Sequence, residues 1–201
     1  MAKRPAAGAV KRRLARDIGT TAATRFYRTA LAHTVRRLAA DPRWRTYLAV
    51  TPDAALAEAC WPLLRDVARI PQGPGDLGQR MQALFAVMPP GPVVVIGSDI
   101  PAVRLAHIAQ SFKLLGEADA VFGPAEDGGY WLVGQKRCPG RLAPFTNIPW
   151  LTDGALAATL ANLRGRSIAF AATLGDVDTG EDYVRQRHNA ERLAASSRSK
   201  P

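Results

Sequence analysis

Four β-favouring apolar residues, Val93-Val94-Val95-Ile96, run straight into Gly97-Ser98-Asp99-Ile100-Pro101. An unbroken apolar run, as opposed to an alternating one, predicts a strand covered on both faces, as in a parallel sheet. Such sheets carry helices on each side and receive ligands outside the carboxyl ends of their strands. Asp99 then stands at a ligand edge, or it caps a helix that begins near Ala102 with Pro101 close to its first turn. Taken alone, the segment favours neither role.

The rest of the chain repeats the strand-helix theme. Phe26, Tyr27, Leu31, Val35 and Leu38 recur at three- and four-residue steps, which predicts an amphipathic helix from Thr21 to Ala40. Tyr47 to Val50 reads as a strand, Ala54 to Leu64 as a helix interrupted at Pro62, and Val67 to Ile70 as a further strand. A helix over Leu77 to Met88 precedes the strand Val93 to Ile96. Helix Val103 to Leu115 follows it, then strands at Ala120 to Phe122 and Tyr130 to Val133. A helix from about Gly154 to Leu163, a strand Ile168 to Ala171 and a helix from Glu181 to Ala194 complete the order. Alternation of this kind predicts an α/β three-layer sandwich with a mainly parallel sheet. One element is missing: Met1 to Arg4, half of them basic, are too few for the central strand that opens such a sheet. The sequence reading therefore expects the fold to lack its first strand, with Met1 an internal methionine of a longer chain.

At 201 residues and 47% hydrophobic content, the chain is read as one domain over residues 1–195 with a disordered tail at 196–201. Its net charge of +10 favours phosphates, nucleotides or nucleic acid without choosing among them. Cys60 and Cys138 are isolated, which fits neither a metal cluster nor a disulfide framework. With no membrane-spanning run and no signal-type apolar segment, the expectation is a cytoplasmic protein without a membrane partner.

Four segments carry candidate chemistry. In Gly8-Ala9-Val10-Lys11-Arg12-Arg13, a glycine loop meets cations suited to phosphate, although a solvated basic terminus explains the same residues. In Gln72-Gly73-Pro74-Gly75-Asp76-Leu77-Gly78-Gln79-Arg80, Asp76 suits a helix cap, and the glycines with Arg80 suit a loop over a base or ribose. The third is Gly97-Ser98-Asp99. The fourth, Asp127-Gly128-Gly129-Tyr130-Trp131, combines a hairpin turn with an acid and two aromatics, with Trp131 read as the one packed in the core.

In this order and spacing the four segments resemble the bacterial glycosyltransferase-A-like (GT-A) family of radical-SAM/selenodomain-associated transferases, related to the 2-phospholactate and molybdenum-cofactor guanylyltransferases. The resemblance spans Ala2 to about Tyr183. It extends to Ile148-Pro149-Trp150-Leu151-Thr152 and, more loosely, to Asp176-Val177-Asp178-Thr179 with Asp182. Arg12 departs from it, standing where that family has Thr.

The resemblance implies a nucleotide-diphospho-sugar-transferase fold and a metal-dependent transferase using a nucleoside triphosphate or nucleotide sugar. Gly8, Lys11, Arg13, Asp76, Gly78, Arg80 and Ser98 would bind the nucleotide, with Lys11, Arg13 and Asp127 taking part in catalysis. Asp99 would hold Mg²⁺ or Mn²⁺, hard cations suited to carboxylate and phosphate oxygens, with Asp176 and Asp178 as secondary candidates. Gly128, Gly129, Tyr130 and Trp150 would line the pocket of an acceptor the sequence does not identify. A homodimer is compatible with this reading. The rivals are a nucleotide-binding protein without catalysis and a basic nucleic-acid binder; the latter lacks any helix-turn-helix, RNA-recognition or zinc pattern. His33, His107 and His188 are read as surface or core residues.

Overall fold

The computed structural model describes residues 1–58, 61, 64–136 and 142–188. Cys60, Cys138 and the tail at 196–201 lie outside the described residues, as do positions 189–194 of the expected last helix, which is helical over 180–188. The strands are β1 Ala2–Lys3, β2 Tyr47–Thr51, β3 Ala68–Pro71, β4 Pro92–Ile96, β5 Ala120–Pro124, β6 Tyr130–Lys136 and β7 Ile168–Phe170. The helices are α1 Arg12–Ile18, α2 Thr20–Ala39, α3 Leu77–Val87, α4 Leu105–Glu117 and α5 Ala155–Ala161.

β1, β2 and β3 form a parallel three-stranded sheet, and the second sheet has the order β4-β6-β5-β7. Within it β6 alone is reversed, antiparallel to both β4 and β5. The Met1 amine donates to the Ile96 carbonyl at 2.7 Å, which brings β1 beside β4 and carries one sheet on into the other. Two sequence expectations are thereby corrected. Residues 1–4 do supply a strand, of two residues, because Ala2 and Lys3 need only reach Val50 and Thr51 in register. The apolar run of β4 is covered on both faces as expected, yet its ladder partner is antiparallel β6; burial on both faces does not report strand direction.

Alternate residues of the second sheet face two cores. Val94, Ile96, Val121 and Leu132 pack with Leu38 of α2 and Ile108 and Leu115 of α4. Val93, Val95, Phe122 and Val133 pack with Met81 and Phe85 of α3 and Leu156 and Leu160 of α5. Sheet between two helical layers is the three-layer architecture expected. Over β2, Tyr27, Leu31 and Val35 of α2 cover Leu48 and Val50.

Three local expectations fail for identifiable reasons. Among the described residues the helix expected from Ala54 to Leu64 begins as a 3₁₀ turn, Asp53–Leu56: the Ala55 carbonyl accepts from the Glu58 amide three residues on and from the Trp61 indole. α4 starts at Leu105 with Arg104 as its N-cap, so Asp99 does not cap it. The segment after Lys11, read as part of a basic loop, is helix α1, too short and with too few buried positions (Leu14) to show a period. Among the described residues no helix is long and apolar enough to cross a membrane.

Candidate active site

A cleft of about 510 Å³ opens where the two sheets meet. The loops that follow β1, β4, β5 and β7 converge on it, bringing Lys11, Asp99, Asp127 and Asp176 to its wall.

Lys11 is held in an unfavourable place. It is the N-cap of α1 with φ 46° and ψ 48°, a left-handed conformation that costs a residue with a β-carbon on the order of 1 kcal/mol. It also sets a positive charge at the positive end of a helix. The compensation is long-range: its Nζ lies 2.9 Å from Asp99 Oδ2, 2.7 Å from Asp178 Oδ1 and 3.9 Å from Asp176 Oδ2. Burial pushes this ammonium towards neutrality, but the charge of Asp99 and the hydrogen bond to Asp178 outweigh it and raise its pKa above the usual lysine value. The Lys11 side chain is 3% exposed, against 33–38% for Asp178, Asp176 and Asp99, so the carboxylates are open to solvent while Lys11, Asp99 and Asp176 all line the cleft.

Oxygens of Asp99, Asp176 and Asp178 lie within 4.8 Å of one another. Burial first, then the Asp178 charge, push the Asp176 carboxyl up to about 6; Asp99 and Asp127 add to this and Lys11 opposes it. The turn that presents Asp178 is tied by Asp182, whose Oδ2 accepts from the Asp178 and Thr179 amides and from Thr179 Oγ1. Burial acts to raise the Asp182 pKa, but these bonds and Arg185 lower it overall. Asp182 is thus a scaffold for the cluster.

Asp127 sits in the tight connection between β5 and β6, its Oδ1 accepting from the Gly129 amide at 3.0 Å, so the expected turn and a cleft-facing acid coexist. Gly128, at φ 81°, lies against the chain: a β-carbon there would meet the Asp153 carbonyl oxygen at 2.2 Å. It fixes the loop and does not line the cleft. Gly129, Tyr130 and Trp150 do line it, the two rings meeting edge-on at 6.3 Å between centroids. Burial lifts the Tyr130 hydroxyl to about 12. Trp131 is buried, its indole donating to the Ala172 carbonyl at 2.9 Å.

The remaining candidates divide. Arg80 and Ser98 line the cleft; Arg80 bonds the Gly75 carbonyl at 2.9 Å, and Ser98 Oγ lies 3.1 Å from Tyr27 Oη. Arg13 is 69% exposed on α1, 3.4 Å from Asp178, and does not line the cleft. Asp76 caps α3 in a reciprocal box with Gln79. Gly78 allows α3 to press on Phe145 and Trp150, where a β-carbon would stand 2.8 Å from each. Gly8 lies in an exposed turn ahead of α1.

Two cleft residues were given no role at the site by the sequence. Tyr27, read as core, exchanges hydrogen bonds with the Lys3 backbone at 3.0 Å and so pins α2 to β1. Buried Gln72 donates to the Ala2 and Ala49 carbonyls at 3.1 and 2.9 Å, closing the strand ends beneath the cleft. A polar tip on the apolar face of a helix was the one signal available for Tyr27; Gln72 offered none.

Comparison with known proteins agrees with this architecture. A putative nucleotide-diphospho-sugar transferase from Desulfovibrio desulfuricans G20 superposes with a TM-score of 0.80 and 29% identity, over 89% of this chain and 80% of its own. The expected GT-A-like fold is therefore the one present. A second structure, a homologue from Mycobacterium sp. strain JC1 of a Mycobacterium tuberculosis protein, shares the fold at a TM-score of 0.53 and 18% identity, over 82% of this chain and 84% of its own. No curated protein matches the sequence. Residues 34–152, more than half of the chain, match the family described as "Uncharacterized protein conserved in bacteria (DUF2064)", and to that family the chain belongs.

Proposed function

We propose that the protein is a metal-dependent transferase that takes a nucleotide sugar or nucleoside triphosphate and passes its activated group to an acceptor. One observation carries this: the oxygens of Asp99, Asp176 and Asp178 gathered within 4.8 Å, with Asp99 and Asp176 on the wall of the cleft. The likeness to the Desulfovibrio transferase and the motif resemblance to guanylyltransferase-related families support the donor class.

The donor set suits Mg²⁺ or Mn²⁺. All three groups are hard oxygen donors, and their oxygens lie within 4.8 Å of one another, close enough to share one small cation. Asp99, Asp176 and Asp178 would hold the ion, which when bound neutralises charge on the departing phosphate. Lys11 and Arg80, both on the cleft wall, would bind the donor's phosphates, with Arg13 beside Asp178 adding charge from α1. Ser98 would hydrogen-bond the nucleotide. Asp127 faces the cleft from the opposite loop and would orient the acceptor and take its proton, against a wall of Gly129, Tyr130 and Trp150.

Asp99→Asn separates the parts of this reading. It retains shape and removes the charge a hard cation needs; because buried Lys11 loses one partner and keeps Asp178, the melting temperature is expected to fall by about 2–6 °C with the fold intact. Calorimetric titration with nucleotide sugars and triphosphates is expected to show Mn²⁺-dependent binding in the wild type and none in the variant. Metal-independent binding in both, or no nucleotide binding at all, overturns the proposal.

A further inference from the structure

We infer that Lys11 is an internal counter-ion which a divalent cation displaces from the carboxylate cluster and which the donor's phosphates then receive, so that metal and donor bind cooperatively through this side chain. The inference rests on the metal-dependent reading above and assigns Lys11 a role within it.

Three observations lead here. The ammonium lies 2.9 and 2.7 Å from Asp99 and Asp178 and 3.9 Å from Asp176, among the oxygens that would surround a cation. Those carboxylates are about one-third exposed while the Lys11 side chain is 3% exposed, so an incoming ion reaches the acids from solvent. Finally, Lys11 is anchored in a left-handed N-cap that disfavours a lysine on conformational and electrostatic grounds, and its carboxylate contacts are what offset this.

A cation that takes over these oxygens removes that compensation and adds repulsion. A buried ammonium without a partner is strongly unfavourable, so the side chain must find another anion. Lys11 lines the same cleft as Arg80 and Ser98, where the donor's phosphates are proposed to lie. Metal binding alone is thus opposed by Lys11, and metal binding with a diphosphate is not. Linkage makes the effect reciprocal: the donor must tighten the metal by the factor by which the metal tightens the donor.

The test measures Mn²⁺ affinity by calorimetry and electron paramagnetic resonance, with and without a nucleoside diphosphate, in wild type, Lys11→Gln and Lys11→Arg. Lys11→Gln is expected to bind Mn²⁺ alone about tenfold more tightly than wild type, and Lys11→Arg, which keeps the charge, not to do so. Nucleotide is expected to tighten Mn²⁺ in the wild type by a factor about tenfold larger than in Lys11→Gln, where only direct metal-phosphate contact remains. Equal Mn²⁺ affinity in wild type and Lys11→Gln overturns this inference and leaves the metal-dependent reading standing. Absence of Mn²⁺ binding in every protein, with or without nucleotide, overturns that reading instead. Should Lys11→Gln fail to fold, the wild type decides alone: the Lys11 ammonium resonance is expected to move on Mg²⁺ titration and again when diphosphate is added, and a resonance that stays fixed through both additions refutes the exchange of partners.

Discussion

Asp176 keeps its proton up to about pH 6 because it is half-buried and the charge acting on it most strongly is another carboxylate, Asp178, with Asp99 and Asp127 adding to it and Lys11 opposing. A folded-state pKa above the unfolded value means that the folded protein holds this proton more tightly. The stabilising protonated form is fully present below about pH 4. It is lost as the pH rises towards 6, and above that the ionised group works against folding. Asp176→Asn removes the penalty. In metal-free buffer the variant is expected to melt above wild type at pH 7.5 by some 2–4 °C, on the order of 1 kcal/mol once solvent screening of a partly exposed group is allowed for. The difference is expected to vanish near pH 4, and differential scanning calorimetry at the two pH values checks both signs. Lower stability of the variant at pH 7.5 would mean that its pairing with Lys11 outweighs the repulsion.

At the scale of elements, α3 illustrates how a residue outside the cleft walls supports one that lines them. Asp76 and Gln79 satisfy two amides at the start of α3, the helix that carries Arg80 to the cleft. Asp76→Ala is expected to cost about 1 kcal/mol, a fall of some 2–4 °C in melting temperature, with nucleotide affinity held within about twofold. Thermal melts with calorimetric titration test this; a large affinity loss at unchanged stability would place Asp76 on the nucleotide. That cap was legible in the sequence because its chemistry is complete within four residues, and so was α2, whose apolar period runs over 20 residues. The turns after β4 and β5 were legible for the same reason, which is why Asp99 and Asp127 were picked out as candidates. The position of Lys11 was not, because what holds it comes from Asp178, 167 residues away. The reversed direction of β6 was hidden as well: hydrophobic coverage is the same for a parallel and an antiparallel neighbour, and only the pairing to β4 and β5 distinguishes them. Asp176 and Asp178 were secondary candidates because a loose acidic pattern gains meaning only when β7 pairs with β5 and delivers it to Asp99.

Across the whole molecule, charge is segregated. Residues 1–45 hold twelve of the 27 lysines and arginines and two of the 17 acids, which accounts for the entire net charge of +10; the remaining residues balance. In the fold this excess lies on α1 and the outer face of α2, where Arg12, Arg16, Arg25, Arg28 and Arg36 are exposed, while the cleft margin beside α1 holds the acidic cluster. A positive layer next to a site for an anionic donor raises the rate of encounter, and salt screens it over about 8 Å at 0.15 M. Arg25 and Arg28 do not line the cleft, so they act through the field alone. The double substitution Arg25→Glu with Arg28→Glu is therefore expected to slow association of a fluorescent nucleotide diphosphate about three- to tenfold at low salt and to flatten the fall of that rate with ionic strength. Its dissociation rate is expected to stay within about twofold of wild type, because field effects change encounter more than residence. Stopped-flow mixing and chase experiments measure the two rates separately. A change confined to dissociation would show that these arginines touch the donor, and that the cleft margin extends further along α2 than its present walls.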